Sequence, residues 1–187
     1  MPPKIRITKE DIIQTAVELL RENGESTINA RSIAAALNCS TQPVFSNFET
    51  MEKLHEEVVV AAYERYLHFL QQEAKDGRYP KYKAFGMAYI RFAKEEKQLF
   101  RLLFMHERKG GQDKLSIDYK ESIEMIMSAN GISREKAEKL HFEMWTCVHG
   151  IATMYNTSFL ELNEEIISDV LSDVYQGLRA RHLGEGV

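Results

Sequence analysis

The apolar residues of this chain recur every three to four positions, which is the spacing of one face of an α-helix. None of the long apolar patterns alternates with a period of two, the spacing that a half-buried strand requires. The chain is therefore predicted to be all-α, with about nine helices. The predicted helices span residues 9–23, 30–37, 41–48, 50–75, 81–95, 97–106, 113–129, 134–159 and 164–181.

Polar residues at the expected helix starts support these boundaries. Thr8 and Asp11 have the spacing of a capping box, in which each side chain bonds the other residue's backbone N–H. Asn29, Ser40 and Asn163 stand where N-cap residues are expected, each just before an apolar-periodic segment. The N-terminal segment is thereby divided into three short helices, followed by a much longer one.

The second and third helices are separated by a turn of three residues, which is the layout of a helix-turn-helix unit. Val44 and Phe48 lie four residues apart and form the predicted buried face of the third helix. The opposite face is short and polar, and contains Thr41, Gln42, Phe45 and Ser46. A glutamine can bind adenine through two hydrogen bonds in the major groove, and a threonine methyl can contact the methyl of thymine. The alternative is an ordinary solvated helix end, and the pattern by itself leaves both open.

The order of residues in this segment resembles the TetR family of transcriptional regulators. The chain has Ile33-Ala34-Ala35-Ala36-Leu37, then Ser40 before the third helix, then an aromatic pair, Phe45 and Phe48, and finally Lys53-Leu54 at the start of the fourth helix. The similarity extends over about residues 8–60. It implies a sequence-specific DNA-binding regulator, more often a repressor, that acts as a homodimer on a pseudo-palindromic operator.

The resemblance also implies a division of labour along the chain. Residues 1–50 would form the DNA-binding domain, and residues 51–187 would form a helical domain that binds an effector and dimerises. The helix predicted at 50–75 would link the two. The residues implied to contact DNA are Thr8, Arg31, Ser40, Thr41, Gln42, Pro43, Phe45, Ser46, Asn47 and Lys53, and Lys4 and Arg6 are further candidates for contacts with the DNA backbone.

Two departures from the family pattern bear on DNA affinity. Phe45 stands where the family usually has tyrosine, so a hydroxyl that would bond a phosphate is missing. Met51 stands where the family usually has lysine, and Lys53 is the candidate to supply the lost charge. The chain has a formal net charge of −4, and residues 1–60 contain fewer basic than acidic side chains. Because non-specific affinity depends on lysine and arginine neutralising phosphates, it is expected to be weak.

The second half of the chain is rich in methionine, phenylalanine and tyrosine between residues 85 and 155. Ligand pockets are mostly apolar with a few polar groups, so this segment could enclose a small apolar or aromatic effector, although a plain hydrophobic core has the same composition. Trp145, His149 and Gly150 resemble a signature seen in one class of TetR C-terminal domains. The candidate effector residues are Phe92, Phe104, Met105, Met125, Trp145 and His149.

The last two helices carry wide apolar stripes, and in the TetR family these helices pair with their mates in the dimer. A wide stripe is also consistent with packing inside one chain. The candidate dimer residues are Ile151, Tyr155, Ile167, Val170, Leu171, Val174 and Leu178.

Cysteine content and apolar run length limit the remaining classes of protein. Cys39 and Cys147 are far apart and form no ligand pattern, which argues against a disulfide framework or a cysteine-rich zinc module. The longest uninterrupted apolar stretch, near residues 58–63, has about six residues, far fewer than the roughly 20 needed to span a bilayer. The N-terminus lacks the apolar segment of a signal peptide. We therefore expect a cytoplasmic protein with no membrane partner and no cofactor.

An enzyme is the alternative class. Glu52-Lys53-Leu54-His55 recurs as Glu138-Lys139-Leu140-His141, and paired Glu-x-x-His motifs on two helices occur in di-metal carboxylate bundles. Such a site also needs inward glutamates from two further helices. Glu52 lies in a first helical turn, where the helix dipole alone favours an acid. We therefore expect that the protein is not an enzyme.

Overall fold

A computed structural model describes residues 7–106 and 117–184, and for residues 117 and 118 it describes the backbone. Its helices are α1 (Lys9–Asn23), α2 (Ala30–Ala36), α3 (Gln42–Asn47), α4 (Met51–Asp76), α5 (Lys81–Glu95), α6 (Lys97–Phe104), α7 (Ile117–Asn130), α8 (Arg134–Asn156) and α9 (Glu164–Leu183). A short 3-10 turn, Glu25–Thr27, follows α1. No strand occurs in these two stretches, and the predicted all-α fold is confirmed.

Local hydrogen bonds explain why most helices begin where the sequence predicts. The Thr8 hydroxyl accepts from the backbone N–H of Asp11 at 3.1 Å, and the Asp11 carboxylate accepts from the backbone N–H of Thr8 at 2.8 Å. The hydrogen bonds that the Asp11 carboxylate accepts from the backbone N–H and the hydroxyl of Thr8 hold the pKa of Asp11 below its ordinary value. Asn29 caps α2 and Asn163 caps α9 through their side-chain oxygens. The predicted caps at these three positions are confirmed.

The start of α3 and the end of α8 differ from the prediction. The N-cap of α3 is Thr41 and not Ser40, and it makes no side-chain capping bond. The helix α8 ends at Asn156, three residues early, because Ser158 has a φ of +55°. The backbone N–H of Phe159 then bonds back to the carbonyl of Met154, which closes the helix end. Part of the start predicted for α7, residues 113–116, lies outside the described residues.

The chain divides into two compact units. Unit 1 comprises residues 1–65 and 96–106, and its described part contains α1, α2, α3, the first 15 residues of α4, and α6. The buried face of α1 includes Ile12, Ala16 and Leu20. The helix α1 contacts α2, α3 and α6. The packing of α6 in this unit was not predicted, because α6 comes from the second half of the chain.

Unit 2 comprises residues 66–95 and 107–187, and within its described part α5 packs against α8 and α9 while α7 packs against α8. Phe92 is fully buried, and its ring forms T-shaped pairs with the rings of Tyr66 and Phe69. A Cβ on Gly86 would lie 3.4 Å from Val148 and 3.5 Å from Leu171. These are ordinary van der Waals distances, so α5 lies close to both α8 and α9 at this position.

The two compact units are defined by packing. The division predicted between residues 50 and 51 separates a DNA-binding domain from a domain for effector binding and dimerisation, and it stays a prediction. Within the described ranges, no helix combines the length and the apolar character needed to cross a membrane.

Candidate functional site

The helix-turn-helix unit is formed by α2, the turn that follows it, and α3. Asn38 has a φ of +51°, and its N–H and that of Cys39 bond back to carbonyls of α2 at 3.1 Å and 2.9 Å. This left-handed residue redirects the chain into α3 within a few positions. Val44 is fully buried and Phe48 is 5% exposed, so the face of α3 predicted to be buried is buried. The opposite face of α3 is free to meet a partner.

That opposite face is formed by Gln42, Phe45, Ser46 and Asn47, which are all exposed. The Ser46 hydroxyl donates to the Gln42 carbonyl at 2.9 Å, and the Asn47 amide donates to the Pro43 carbonyl at 2.8 Å. Both side chains are therefore bonded to their own helix. The Gln42 carboxamide and the Phe45 ring, which is 57% exposed, have no such bond to the helix, while Ser46 and Asn47 keep their side-chain oxygens as acceptors.

The other predicted DNA contacts lie on unit 1 around this helix. Ser40 and Arg31 are exposed, whereas Thr41 and Pro43 are half-buried. The hydroxyl of Thr8 donates to the Asp11 carboxylate at 2.7 Å, so its proton is already used in the cap of α1. Lys4 and Arg6 fall outside the described residues.

Carboxylates accompany the lysines near α3. The Lys53 ammonium lies 2.7 Å from Glu56, and this hydrogen bond raises the pKa of Lys53. Lys9 pairs with Glu57 at 2.5 Å and also lies over the ring of Phe48. A phosphate would have to compete with these carboxylates for both ammonium groups.

The six predicted effector residues are divided between the two compact units, and their role stays a prediction. Phe104 and Met105 belong to unit 1, whereas the other four belong to unit 2. Among those four, Phe92 is buried in the core and Trp145 is 39% exposed. Met125 and His149 are half-buried.

His149 joins the interior of unit 2 to an aromatic stack on α8. Its Nδ1 lies 2.8 Å from the hydroxyl of Tyr89, and its ring stacks on Trp145 with centroids 4.9 Å apart and an interplanar angle of 16°. Phe142, one turn before Trp145, continues the stack. Burial lowers the pKa of His149, so the imidazole is neutral at pH 7.

The predicted dimer residues fall mostly inside the protomer. Ile151, Tyr155, Ile167 and Leu171 are buried within unit 2, Val174 and Leu178 are half-buried, and Val170 is 36% exposed. The large apolar side chains that α8 and α9 expose are Phe142, Trp145 and Met154 on α8 and Ile166 and Val170 on α9. The dimer residues predicted from the sequence do not include Phe142 and Ile166, because a helix with two apolar sides does not reveal which side faces its own core.

A cleft of about 280 Å³ lies in unit 2 between the end of α4, α5 and the start of α9. Its floor includes the buried residues Met87, Ile90 and Ile167. Its charged lining residues are Glu73, Asp76, Arg78, Arg91, Lys94, Glu95 and Glu164. None of the six predicted effector residues lines this cleft.

The two Glu-x-x-His motifs belong to different compact units. His55 lies 2.8 Å from Glu25 in unit 1, and His141 lies 3.0 Å from the Tyr82 hydroxyl in unit 2. Among the residues described, no three or more His, Cys, Asp or Glu side chains come together in a way that could hold a metal ion. The structure therefore offers no support for the di-metal alternative.

Comparisons with known proteins bear on both halves of the chain. Residues 82–173 match the family described as tetracyclin repressor-like, C-terminal domain. No curated protein matches the chain. The chain is similar in structure to a TetR-like transcriptional regulator from Rhodococcus sp. RHA1, with a TM-score of 0.61 and 14% sequence identity over 100% of both chains. The match over residues 82–173 and the shared fold, together with the helix-turn-helix unit of α2 and α3, support membership of the TetR family of transcriptional regulators.

Proposed function

We propose that this protein is a ligand-responsive transcriptional repressor that acts as a homodimer on a pseudo-palindromic operator in the cytoplasm. The observation that carries the proposal is the surface of α3, where Gln42 and Phe45 project while Val44 and Phe48 are buried beneath them. A two-fold dimer presents two such helices to major-groove segments one helical turn apart. Selection of binding sites from fragments of the source genome is the first test.

The available groups on α3 have different tasks in this proposal. The Gln42 carboxamide has both a donor and an acceptor, so it can bind one adenine edge with two hydrogen bonds. The Phe45 ring offers only apolar contact, with a thymine methyl or with sugar atoms. Lys53, and Arg31 on α2, contact phosphates, which orient the protein without reading sequence.

We expect Gln42→Ala and Lys53→Ala to weaken binding in different ways. Loss of the Gln42 contact should cost about 1–3 kcal/mol and relax the preference at one base pair. Loss of Lys53 should weaken all sequences alike and reduce the slope of log K against log salt by about one. Fluorescence anisotropy with the selected operator and with random duplex measures both. Equal effects of the two changes on both duplexes would remove Gln42 from base readout.

The Lys53–Glu56 pair gives this DNA-binding surface a built-in competitor. Both side chains are largely exposed, so the pair contributes little to folding. In a complex with DNA, however, the Glu56 carboxylate would repel the same phosphate that Lys53 attracts. Removing the carboxylate should therefore strengthen DNA binding without changing the contact of Lys53.

We expect Glu56→Gln to raise affinity for operator and random duplex alike, by roughly twofold to fivefold at low salt. Glu22→Gln on α1 is the matched control, because it removes the same charge from an exposed position of unit 1. Affinities measured across a salt series should converge as screening increases. Unchanged or weaker binding of Glu56→Gln would show that Lys53 is not a phosphate contact.

The exposed apolar face of α8 and α9 supports the homodimer. Phe142 and Trp145 lie on α8, and Ile166 and Val170 lie on α9, with exposed fractions between 36% and 64%. Gly177 shares the face of Ile166 and Val170, and a Cβ at Gly177 would meet nothing within 4 Å. A helical glycine beside exposed apolar side chains leaves room for a helix of a second copy to approach closely.

We expect Val170→Glu to dissociate the dimer, because burying an unpaired carboxylate at the interface is strongly unfavourable. Operator affinity should be lost together with the dimer. Gln176→Glu is the control, since it adds the same charge on α9 about one-third of a turn away from this face. Sedimentation velocity measures the oligomeric state, and a Val170→Glu protein that stays dimeric would exclude this face of α9 from the interface.

Unit 2 offers two candidate effector sites, the cleft and the surroundings of His149. The cleft is favoured, because it is open space close to the lower volume range of ligand pockets, and its apolar floor and charged rim suit a small amphipathic molecule. The Trp145 ring beside His149 belongs instead to the exposed face that we assign to the dimer. The neutral His149 imidazole suits the apolar or aromatic effector expected from the sequence.

A thermal-shift screen of small apolar and amphipathic compounds separates the two sites. A compound bound in the cleft should lose its stabilising effect in Leu162→Trp, which fills the cleft from a half-buried position, and keep it in His149→Ala. The reverse pattern would locate the effector at His149. An effector should also weaken operator binding. It can change DNA affinity only if it binds the conformation that binds DNA and the conformation that does not with different affinities.

A further inference from the structure

A buried carboxylate in unit 1 holds three helices together. Glu96 immediately precedes α6 and is 6% exposed. Arg21 of α1 donates to both of its oxygens, through Nε at 2.7 Å and Nη2 at 2.8 Å. Arg65 of α4 donates to Oε1 through Nε at 2.9 Å, and its Nη2 lies 2.7 Å from the same oxygen. One side chain thus binds the guanidinium groups of two helices that are distant in sequence.

The position of this cluster along the chain is informative. Arg65 is the last residue of the first segment of unit 1, and Glu96 is the first residue of its second segment. The chain passes between the two units at 65/66, 95/96 and 106/107. Arg65 stands at the first of these passages and Glu96 at the second. The third residue of the cluster, Arg21, lies on α1, against which α2 and α3 pack.

Stability alone is a poor explanation for such a cluster. Taking charges out of water offsets much of their attraction, and well-packed apolar side chains in the same place are often as stabilising. A guanidinium that binds a carboxylate with two parallel bonds, as Arg21 does, nevertheless fixes direction and distance, which apolar contacts do not. The cluster therefore specifies how α1 is oriented against α4 and α6.

We propose that Glu96 is a positioning residue for DNA binding, which fixes the spacing of the two recognition helices by holding α1 to α4 through Arg21 and Arg65. The inference rests on the proposed function, because it requires a dimer that reads two half-sites. In such a dimer the distance between the two copies of α3 depends on how each helix-turn-helix unit is held on its own α4. Loosening that attachment weakens the preference for one half-site spacing and leaves the reading of a single half-site intact.

The test compares two operators that differ only in spacing. One is the selected operator, and the other has one base pair inserted at its centre, which shifts one half-site by about 3.4 Å and rotates it around the helix axis. Wild-type protein should discriminate strongly between them. In Glu96→Gln the ratio of the two affinities should fall about tenfold or more, through weaker binding of the selected operator. Affinity for a duplex with a single half-site should stay within about twofold of wild type.

Two further variants make the result decisive. Glu18→Gln removes the other carboxylate that binds Arg21, which lies 2.5 Å from it and is 49% exposed, and this change should leave the ratio unchanged. A triple variant, Arg21→Met with Glu96→Leu and Arg65→Met, replaces the cluster with apolar side chains and should fold even if Glu96→Gln does not. Circular dichroism and sedimentation verify that each variant is a folded dimer.

The outcomes separate the inference from the proposed function. A folded dimer that lacks Glu96 and keeps the wild-type ratio overturns the positioning role, while operator binding by the wild type upholds the proposed function. A parallel loss of affinity for the single half-site also overturns it, because that loss would reflect damage to the reading surface itself. Wild-type protein without preference for any operator would refute the proposed function and this inference with it.

Discussion

The apolar face of α1 is the constraint on which unit 1 depends. Its five buried side chains, Ile12, Ile13, Ala16, Val17 and Leu20, form the surface against which α2, α3 and α6 pack. The helix α3 has only six residues, too few to be stable alone in water, so its helical state depends on burying Val44 and Phe48. The recognition surface of α3 is therefore a consequence of packing against α1, and the directional bonds of Arg21 to Glu96 add orientation to that packing.

The charges of this unit place a limit on how it can bind DNA. Lys9 and Lys53 each have a carboxylate within 2.7 Å, and the whole chain carries a net charge of −4. Non-specific affinity comes from phosphate neutralisation, so such a surface holds random duplex weakly. The specificity ratio compares the affinity for the specific site with the affinity for random duplex. In the proposed DNA complex, a surface whose Lys9 and Lys53 are paired with carboxylates would make the contacts of Gln42 and Phe45 a larger share of the total binding free energy.

Local features were predictable from sequence, and long-range ones were not. The caps at Thr8, Asn29 and Asn163 depend on bonds to residues three positions away, which a sequence pattern contains in full. The cap predicted at Ser40 was wrong, because the turn after α2, in which Asn38 is left-handed, places Thr41 and not Ser40 at the N-cap position of α3. The pairing of Glu96 with Arg21 spans 75 residues, and no local pattern encodes it. The same holds for the packing of α6 on α1.

The two outer helices of unit 2 show where a helical pattern becomes ambiguous. Both α8 and α9 have apolar residues on more than one side, and only the fold shows that Ile151 and Leu171 are buried inside the chain while Phe142 and Val170 are exposed. Gly177 sharpens the distinction, because a glycine within a helix costs about 0.5–1 kcal/mol relative to alanine. No neighbour within the described part of the chain comes within 4 Å of where its Cβ would lie. The packing of the protomer alone therefore gives no reason for that cost, whereas the proposed homodimer would supply one through close approach of a helix from a second copy.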